Sequence, residues 1–90
     1  VMDVIVVYKG TANSSTVRVA EIFKAAVARN ATSVIIAHNH PGGDPNPSSE
    51  DVTLTRAVKD AGKLLDISLL DHIVIGNAGR YVSMKEKGLF

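Results

Sequence analysis

The sequence contains no cysteine. Disulfides, thiolate metal ligands and a cysteine nucleophile are thereby excluded from this chain. Aromatic side chains are scarce, at 4%: Tyr8, Phe23, Tyr81 and Phe90. The core must therefore be aliphatic, built from Val, Ile, Leu and Ala. No run of Lys or Arg stands out, and the formal net charge is only +1. Direct nucleic-acid binding by this domain is accordingly not expected. No apolar run reaches the ~20 residues of a membrane-spanning helix, so no membrane partner is expected either. Internal repeats, linkers and low-complexity tracts are lacking, and the N-terminus reads as a strand, not a signal peptide.

Hydrophobic residues make up 46% of the chain and charged residues 21%. That balance is globular and argues against disorder. The length, 90 residues, fits one small domain of modest stability. The chain opens abruptly at Val1-Met2 inside a strand pattern. One domain over residues 1–90 is expected, as an N-terminally incomplete fragment of a longer protein. The lack of cysteine is compatible with a cytoplasmic location, which is the expectation.

Residues 3–8 are β-branched and apolar and read as a buried strand. Gly10 to Ser15 supplies turn residues. Val19, Ile22, Phe23, Ala26 and Val27 recur at helical spacing, which predicts a helix over about 18–29 with Asn30 as its C-cap. Val34 to Ala37 is a second buried strand, ending at His38-Asn39-His40. The segment from Pro41 to Pro47 is a loop, in which Asp44 reads as a turn residue and Gly42 and Gly43 serve backbone geometry. Ser48 opens a second helix to about Leu65, with Leu54, Val58, Ala61 and Leu65 on its core face. A third strand runs from Leu69 to Ile75 and carries the polar pair Asp71-His72. A short turn leads to a fourth strand at Tyr81 to Ser83, and the tail from Met84 is a short helix or a frayed end. This order predicts an α/β domain with helices packed on a mixed sheet.

The stretch from His38 to Asp51 reads H-x-H-P-x6-S-x2-D. Side chains of a strand alternate with period two, so His38 and His40 point the same way and can reach one ion. The Pro/Gly loop lets the chain double back, and Asp51 in the first turn of the next helix can supply a third ligand. Two imidazoles and a carboxylate leave a fourth tetrahedral position for water, the pattern of catalytic rather than structural zinc. Other divalent ions also suit such a set. Zinc would lower the pKa of that water to ~7, and the Ser48 hydroxyl could donate to the oxyanion of a tetrahedral intermediate. Ser48 and Asp51 also read as an N-cap with an acid at the third helical position. The cap and the metal site are compatible roles.

His38, His40, Ser48 and Asp51 match the motif of the JAMM (JAB/MPN) metalloproteases, H-x-H, seven residues, S-x-x-D. The stretch Ala37 to Ser48 resembles the RadC branch of that family, as do Gly10 to Ser15, Glu21-Ile22-Phe23 with Ala25-Ala26, and Leu70 to Gly76. The resemblance covers nearly the whole chain. It implies a cytidine-deaminase-like fold, a three-layer sandwich with a mixed sheet. It also implies one Zn²⁺ per chain on His38, His40 and Asp51, with Ser48 stabilising the transition state. The family's general-base Glu belongs to an earlier strand than the one at residues 3–8. Glu21 falls in the first helix, unlike the family's position, and does not inherit the role.

Three functions compete on this reading. The first is a zinc metallopeptidase acting on a peptide or isopeptide substrate. The second is a non-catalytic RadC-type scaffold associated with DNA repair or recombination. The third, a nucleotide deaminase, needs Cys ligands and an H-x-E motif, and His40 stands where that Glu would be. The letters His-Asn-His do not make an HNH nuclease, whose residues are scattered along a longer motif. His72 is expected to be a satisfied core or edge histidine. Its alternative role, with Asp71, is to orient a ligand from behind. A homo-oligomer is left open.

Overall fold

The computed structural model describes the backbone of residues 3–9 and the whole of residues 18–40 and 42–90. The turn expected at Gly10 to Ser15 lies outside them. Strand β1 (Asp3–Lys9) leads through helix α1 (Val19–Ala28) to β2 (Ser33–Asn39), and β2 leads through α2 (Ser49–Leu65) to β3 (Ser68–Ile75). A short turn then gives β4 (Tyr81–Ser83). The strands form one sheet in the order β1-β2-β3-β4. The first two pairings are parallel and the last is antiparallel. This follows from the connections, since a parallel pair needs a long crossover and a tight turn reverses the chain. The expected mixed α/β sheet is thus present.

One core cluster joins Ile22, Phe23 and Ala26 of α1, Val34 and Ile36 of β2, Val58 of α2, and Ile67. The two helices also touch each other, so both lie over the sheet face that carries Val34 and Ile36. Each aliphatic side chain buried here contributes about 1.5–3 kcal/mol. On the other face Ile35, Ala37 and Ile73 are only half-buried. Among the described residues the elements therefore make two layers.

Several expectations shift by a residue or a face. Helix α1 is capped by Arg29, and Asn30 follows it in the left-handed conformation at φ 53°. The Ala31 N–H closes the end on the Ala26 carbonyl at 2.9 Å, a bond six residues wide that requires that left-handed residue. Val27, placed in the core by spacing, is 56% exposed because it lies past the edge of the packed stripe. On α2 the buried stripe is Asp51, Thr55, Val58 and Gly62, while Leu65 is exposed. Gly62 is there because a Cβ would stand 2.2 Å from the Ile67 carbonyl oxygen. The tail from Met84 is a set of hydrogen-bonded turns instead of a helix, and Met84 itself is fully buried.

The pairing of β2 with β3 contains a bulge. Val34 pairs with Leu69, but Ile35 pairs with Asp71, so Leu70 is the extra residue. Beyond it Ile36 pairs with His72 and His38 with Val74. A strict alternation would put Leu69 and His72 on opposite faces. The bulge puts both towards the helices, which is how a strand re-aims one side chain.

Candidate metal centre

His38 ends the inward row Val34, Ile36, His38 on β2, and all three are buried. His40 lies just past the strand, where its N–H still bonds the Ile75 carbonyl at 3.0 Å. Continued pairing keeps the alternation in force, so the rings of His38 and His40 stay on one side, with centroids 4.9 Å apart. The loop then turns back on Gly43, at φ 81°. Its carbonyl takes the Asn77 N–H at 3.0 Å and the Arg80 guanidinium at 3.1 Å. Asp44 is a turn residue, as expected, accepting the Asn46 N–H at 3.0 Å.

The loop delivers the chain to a capping box. Ser48 Oγ accepts the Asp51 N–H at 3.1 Å, and Asp51 Oδ2 accepts the Ser48 N–H at 2.8 Å. That exchange fixes the Asp51 side chain at the helix start, with the carboxylate turned towards both imidazoles. His40 Nε2 is 3.0 Å from Asp51 Oδ2, and His38 Nε2 is 3.3 Å from Oδ1. The three residues offer ligand atoms that all lie within 4.8 Å of one another, a group that could hold a metal ion. The sequence-expected ligands are therefore brought together, with Ser48 adjoining Asp51 at the exposed rim.

The donor set also has an electronic requirement. His40 Nδ1 is 2.9 Å from the Asp44 carbonyl, and a carbonyl only accepts. Nδ1 therefore carries the hydrogen, and in the neutral ring Nε2 presents a lone pair to the Asp51 carboxylate. Two lone pairs at 3.0 Å repel unless a cation, a proton or a metal ion, stands between them. Two ligands bonded at about 2.0–2.2 Å in a tetrahedron lie about 3.3–3.6 Å apart. His38 Nε2 has that separation from Oδ1, while His40 Nε2 lies closer and to the other oxygen, Oδ2, so one carboxylate oxygen serves both imidazoles after a small shift. The donor set of two imidazoles and a carboxylate thus fits a divalent metal ion.

Burial is the largest influence on His38 and pushes its pKa below the ordinary imidazole value, against the pull of the Asp51 carboxylate. Burial also pushes Asp51 up, but the Ser48 backbone N–H and the neighbouring His38 outweigh it and hold the carboxyl below its usual range. At neutral pH a neutral His38 faces an ionised Asp51. These are the protonation states metal ligation requires.

Behind His38 lies a layer that only part of the sequence reading reached. His72 is fully buried, and its Nε2 is 2.7 Å from His38 Nδ1. Its Nδ1 is 2.6 Å from Thr55 Oγ1. Burial, then the nearby His38, pushes the His72 pKa down to about 4. The suggested partner Asp71 does not meet its ring, although Asp71 Oδ1 accepts the His72 backbone N–H at 2.7 Å. Asp71 faces the opposite side, where Ser83 Oγ donates to its Oδ2 and the Lys85 N–H to its Oδ1. Thr55 went unnoticed because a hydroxyl in an amphipathic stripe carries no hydropathy signal. Its one available sign was the spacing of four from Asp51, one helical turn. Glu21 is exposed in the first turn of α1 and is not part of the ligand group.

A family model described as RadC-like JAB domain matches residues 1–89. A UPF0758 protein of Chloroflexus aurantiacus is 54% identical over 89 residues, which cover 99% of this chain and 38% of that protein. A second, from Roseiflexus castenholzii, is 58% identical over 83 residues, 92% of this chain and 35% of the relative. A third, from Clostridium botulinum, is 57% identical over 82 residues, 91% and 36% of the two chains. The chain thus spans less than two-fifths of the length of these relatives. With the H-x-H, the loop and the S-x-x-D assembled as one site, and a model match along nearly its whole length, the chain belongs to the RadC-like JAB domain family.

Proposed function

We propose that this domain is a zinc-dependent hydrolase of peptide or isopeptide amide bonds. The observation that carries the reading is the pair of imidazole Nε2 atoms facing the Asp51 carboxylate at 3.3 and 3.0 Å. His38, His40 and Asp51 would hold the ion. Zinc bound there would supply Lewis acidity and an activated water. The Asp44 carbonyl orients His40, and the Ser48–Asp51 capping box orients the carboxylate, so the ligands need only a small shift on binding. Ser48 Oγ accepts a backbone N–H and keeps its own hydrogen to donate to the oxyanion of an attacked amide. The half-buried face at Ile35, Ala37 and Ile73 is where the third layer of the JAB sandwich would pack. No helix among the described residues is long and apolar enough to cross a membrane, and the lack of cysteine suits a reducing, cytoplasmic setting.

Elemental analysis of the dialysed protein, beside His38→Ala and Asp51→Ala, tests the metal. About one zinc per chain, lost in both variants, is the expected result, and a metal-free wild type with an intact fold would sink it. Hydrolysis of amide- and isopeptide-linked substrates by the full-length protein tests the reaction. Its absence in zinc-loaded protein would move the reading to a scaffold. For Ser48→Ala, the expected outcome is retained zinc with a rate reduced about 10²–10³-fold, the loss on removing one oxyanion donor.

A further inference from the structure

We propose that His72 is a positioning residue that fixes His38 as its Nδ1–H tautomer, through a one-way chain of hydrogen bonds anchored on the backbone carbonyl of Asp51. The direction of the chain follows from its end. Thr55 Oγ1 lies 2.6 Å from the Asp51 carbonyl oxygen, which can only accept, so the hydroxyl hydrogen is committed there. The Met84 sulfur, a weaker acceptor at 3.6 Å, does not compete with it. Thr55 Oγ1 then has only lone pairs for His72 Nδ1 at 2.6 Å, and Nδ1 must carry a hydrogen. The ring is fully buried and stays neutral there, so its Nε2 is an acceptor. His38 Nδ1, 2.7 Å away, must donate to it. The lone pair of His38 is thereby left on Nε2, the atom 3.3 Å from Asp51 Oδ1.

Residue 51 thus acts twice. Its carboxylate faces the imidazoles, and its carbonyl, through Thr55 and His72, sets which nitrogen of His38 is free. Both anchors sit on α2, while His38 and His72 sit on adjacent strands in register two residues apart. The chain therefore ties the helix to the sheet at the site. Histidine ligands of metals are commonly oriented through their second nitrogen by a carboxylate or a carbonyl. Here another histidine takes that place, and as an acceptor it can do so only because Thr55 holds its far nitrogen protonated.

The significance for metal binding rests on the metal reading above, but the tautomer does not, and the experiment separates them. Ring-nitrogen NMR of the metal-free protein reads the tautomers of His38 and His72. Zinc affinity is read by titration against a chromophoric chelator. In the wild type, Nδ1–H on both rings is expected. Thr55→Val, of equal shape, should leave His38 divided between its tautomers and lower zinc affinity about ten- to a hundred-fold. Thr55→Ser should restore both. A wild-type His38 protonated on Nε2, or a Thr55→Val protein with unchanged tautomers and affinity, would overturn the proposal. Should Thr55→Val not fold, the wild-type spectrum alone decides. A wild type that binds no zinc yet shows both Nδ1–H forms would defeat the metal reading and leave the chain standing.

Discussion

Replacing Asp51 separates its two duties, because Asn and Ala remove different parts of the residue. Asp51→Ala removes the acceptor of the Ser48 N–H, a bond of 2.8 Å, and the negative charge in the first helical turn. It keeps the reciprocal bond from its own N–H to Ser48 Oγ, so half the box survives. The expected cost to the metal-free protein is about 1–2 kcal/mol, or a melting temperature lower by roughly 4–15 °C for a domain of this size. Asp51→Asn retains an oxygen for the Ser48 N–H at the Oδ2 position, and its amide nitrogen, at the Oδ1 position, can donate to the His38 Nε2 lone pair. Its metal-free stability should stay within about 0.5 kcal/mol of wild type. Both variants lack the carboxylate and should bind zinc more than about 100-fold more weakly, since losing even an outer partner costs 10–100-fold. The assay is a pair of thermal melts, with chelator and with zinc at about 1,000 times the wild-type Kd. Wild type should gain about 4 kcal/mol from the ion, and each variant no more than about 1.4 kcal/mol, because a 100-fold weaker site sees zinc at only about 10 times its Kd. An Asp51→Asn protein that zinc stabilises as strongly as wild type would refute the argument, leaving Asp51 a helix cap and no more.

Gly62→Ala should destabilise by about 1–3 kcal/mol through overpacking, despite a helix-propensity gain of about 1 kcal/mol, because its Cβ would sit 2.2 Å from the Ile67 carbonyl oxygen. A melting temperature at or above wild type would contradict that contact. Gly76→Ala puts a Cβ 2.4 Å from the Gly43 carbonyl oxygen and 2.9 Å from Pro45. It should push away the loop whose Asp44 carbonyl orients His40, and a chelator titration should show weakened zinc binding; unchanged affinity would show that the loop does not set His40. The metal-free protein should also lose stability in acid. His72 is held at about 4 when folded against 6.5 when unfolded, so unfolding takes up a proton in that window. Its contribution is complete above about pH 6.5 and falls as pH drops towards 4, by roughly 2–3 kcal/mol at pH 4.5. Asp51, also depressed, acts in the same direction at lower pH. Urea midpoints that do not fall between pH 7.5 and 4.5 would count against a buried neutral His72.

The sheet and helices were legible because apolar periodicity is a direct record of which side is buried. The ligand group was legible for a similar reason. Period two aligns His38 with His40, and a helix start fixes Asp51 to within a residue. What escaped has a common cause. Spacing puts Leu54, Val58, Ala61 and Leu65 on the core face of α2, yet of these only Val58 is buried, and Asp51, Thr55 and Gly62 are buried beside it. Hydropathy does not register a carboxylate, a hydroxyl or a missing side chain as interior. His72, expected as a core or edge histidine, is buried, but its neighbours depend on the bulge at Leu70, and a bulge has no period. The cap of α1 fell on Arg29 instead of Asn30 because a residue suited to φ > 0 serves one position beyond the cap as well as at it.

That bulge gives β3 something like a reading frame. Upstream of Leu70 the strand is in one phase with β2, and downstream it is in the other. Were the ladder to run on without the bulge, Leu70 would pair with Ile35 and Asp71 with Ile36, taking the place His72 now holds behind His38. An acid would then stand where a neutral ring accepts one hydrogen bond and passes on another, and His72 would turn out to the opposite face. One unpaired aliphatic residue thus decides which side chain stands behind the centre.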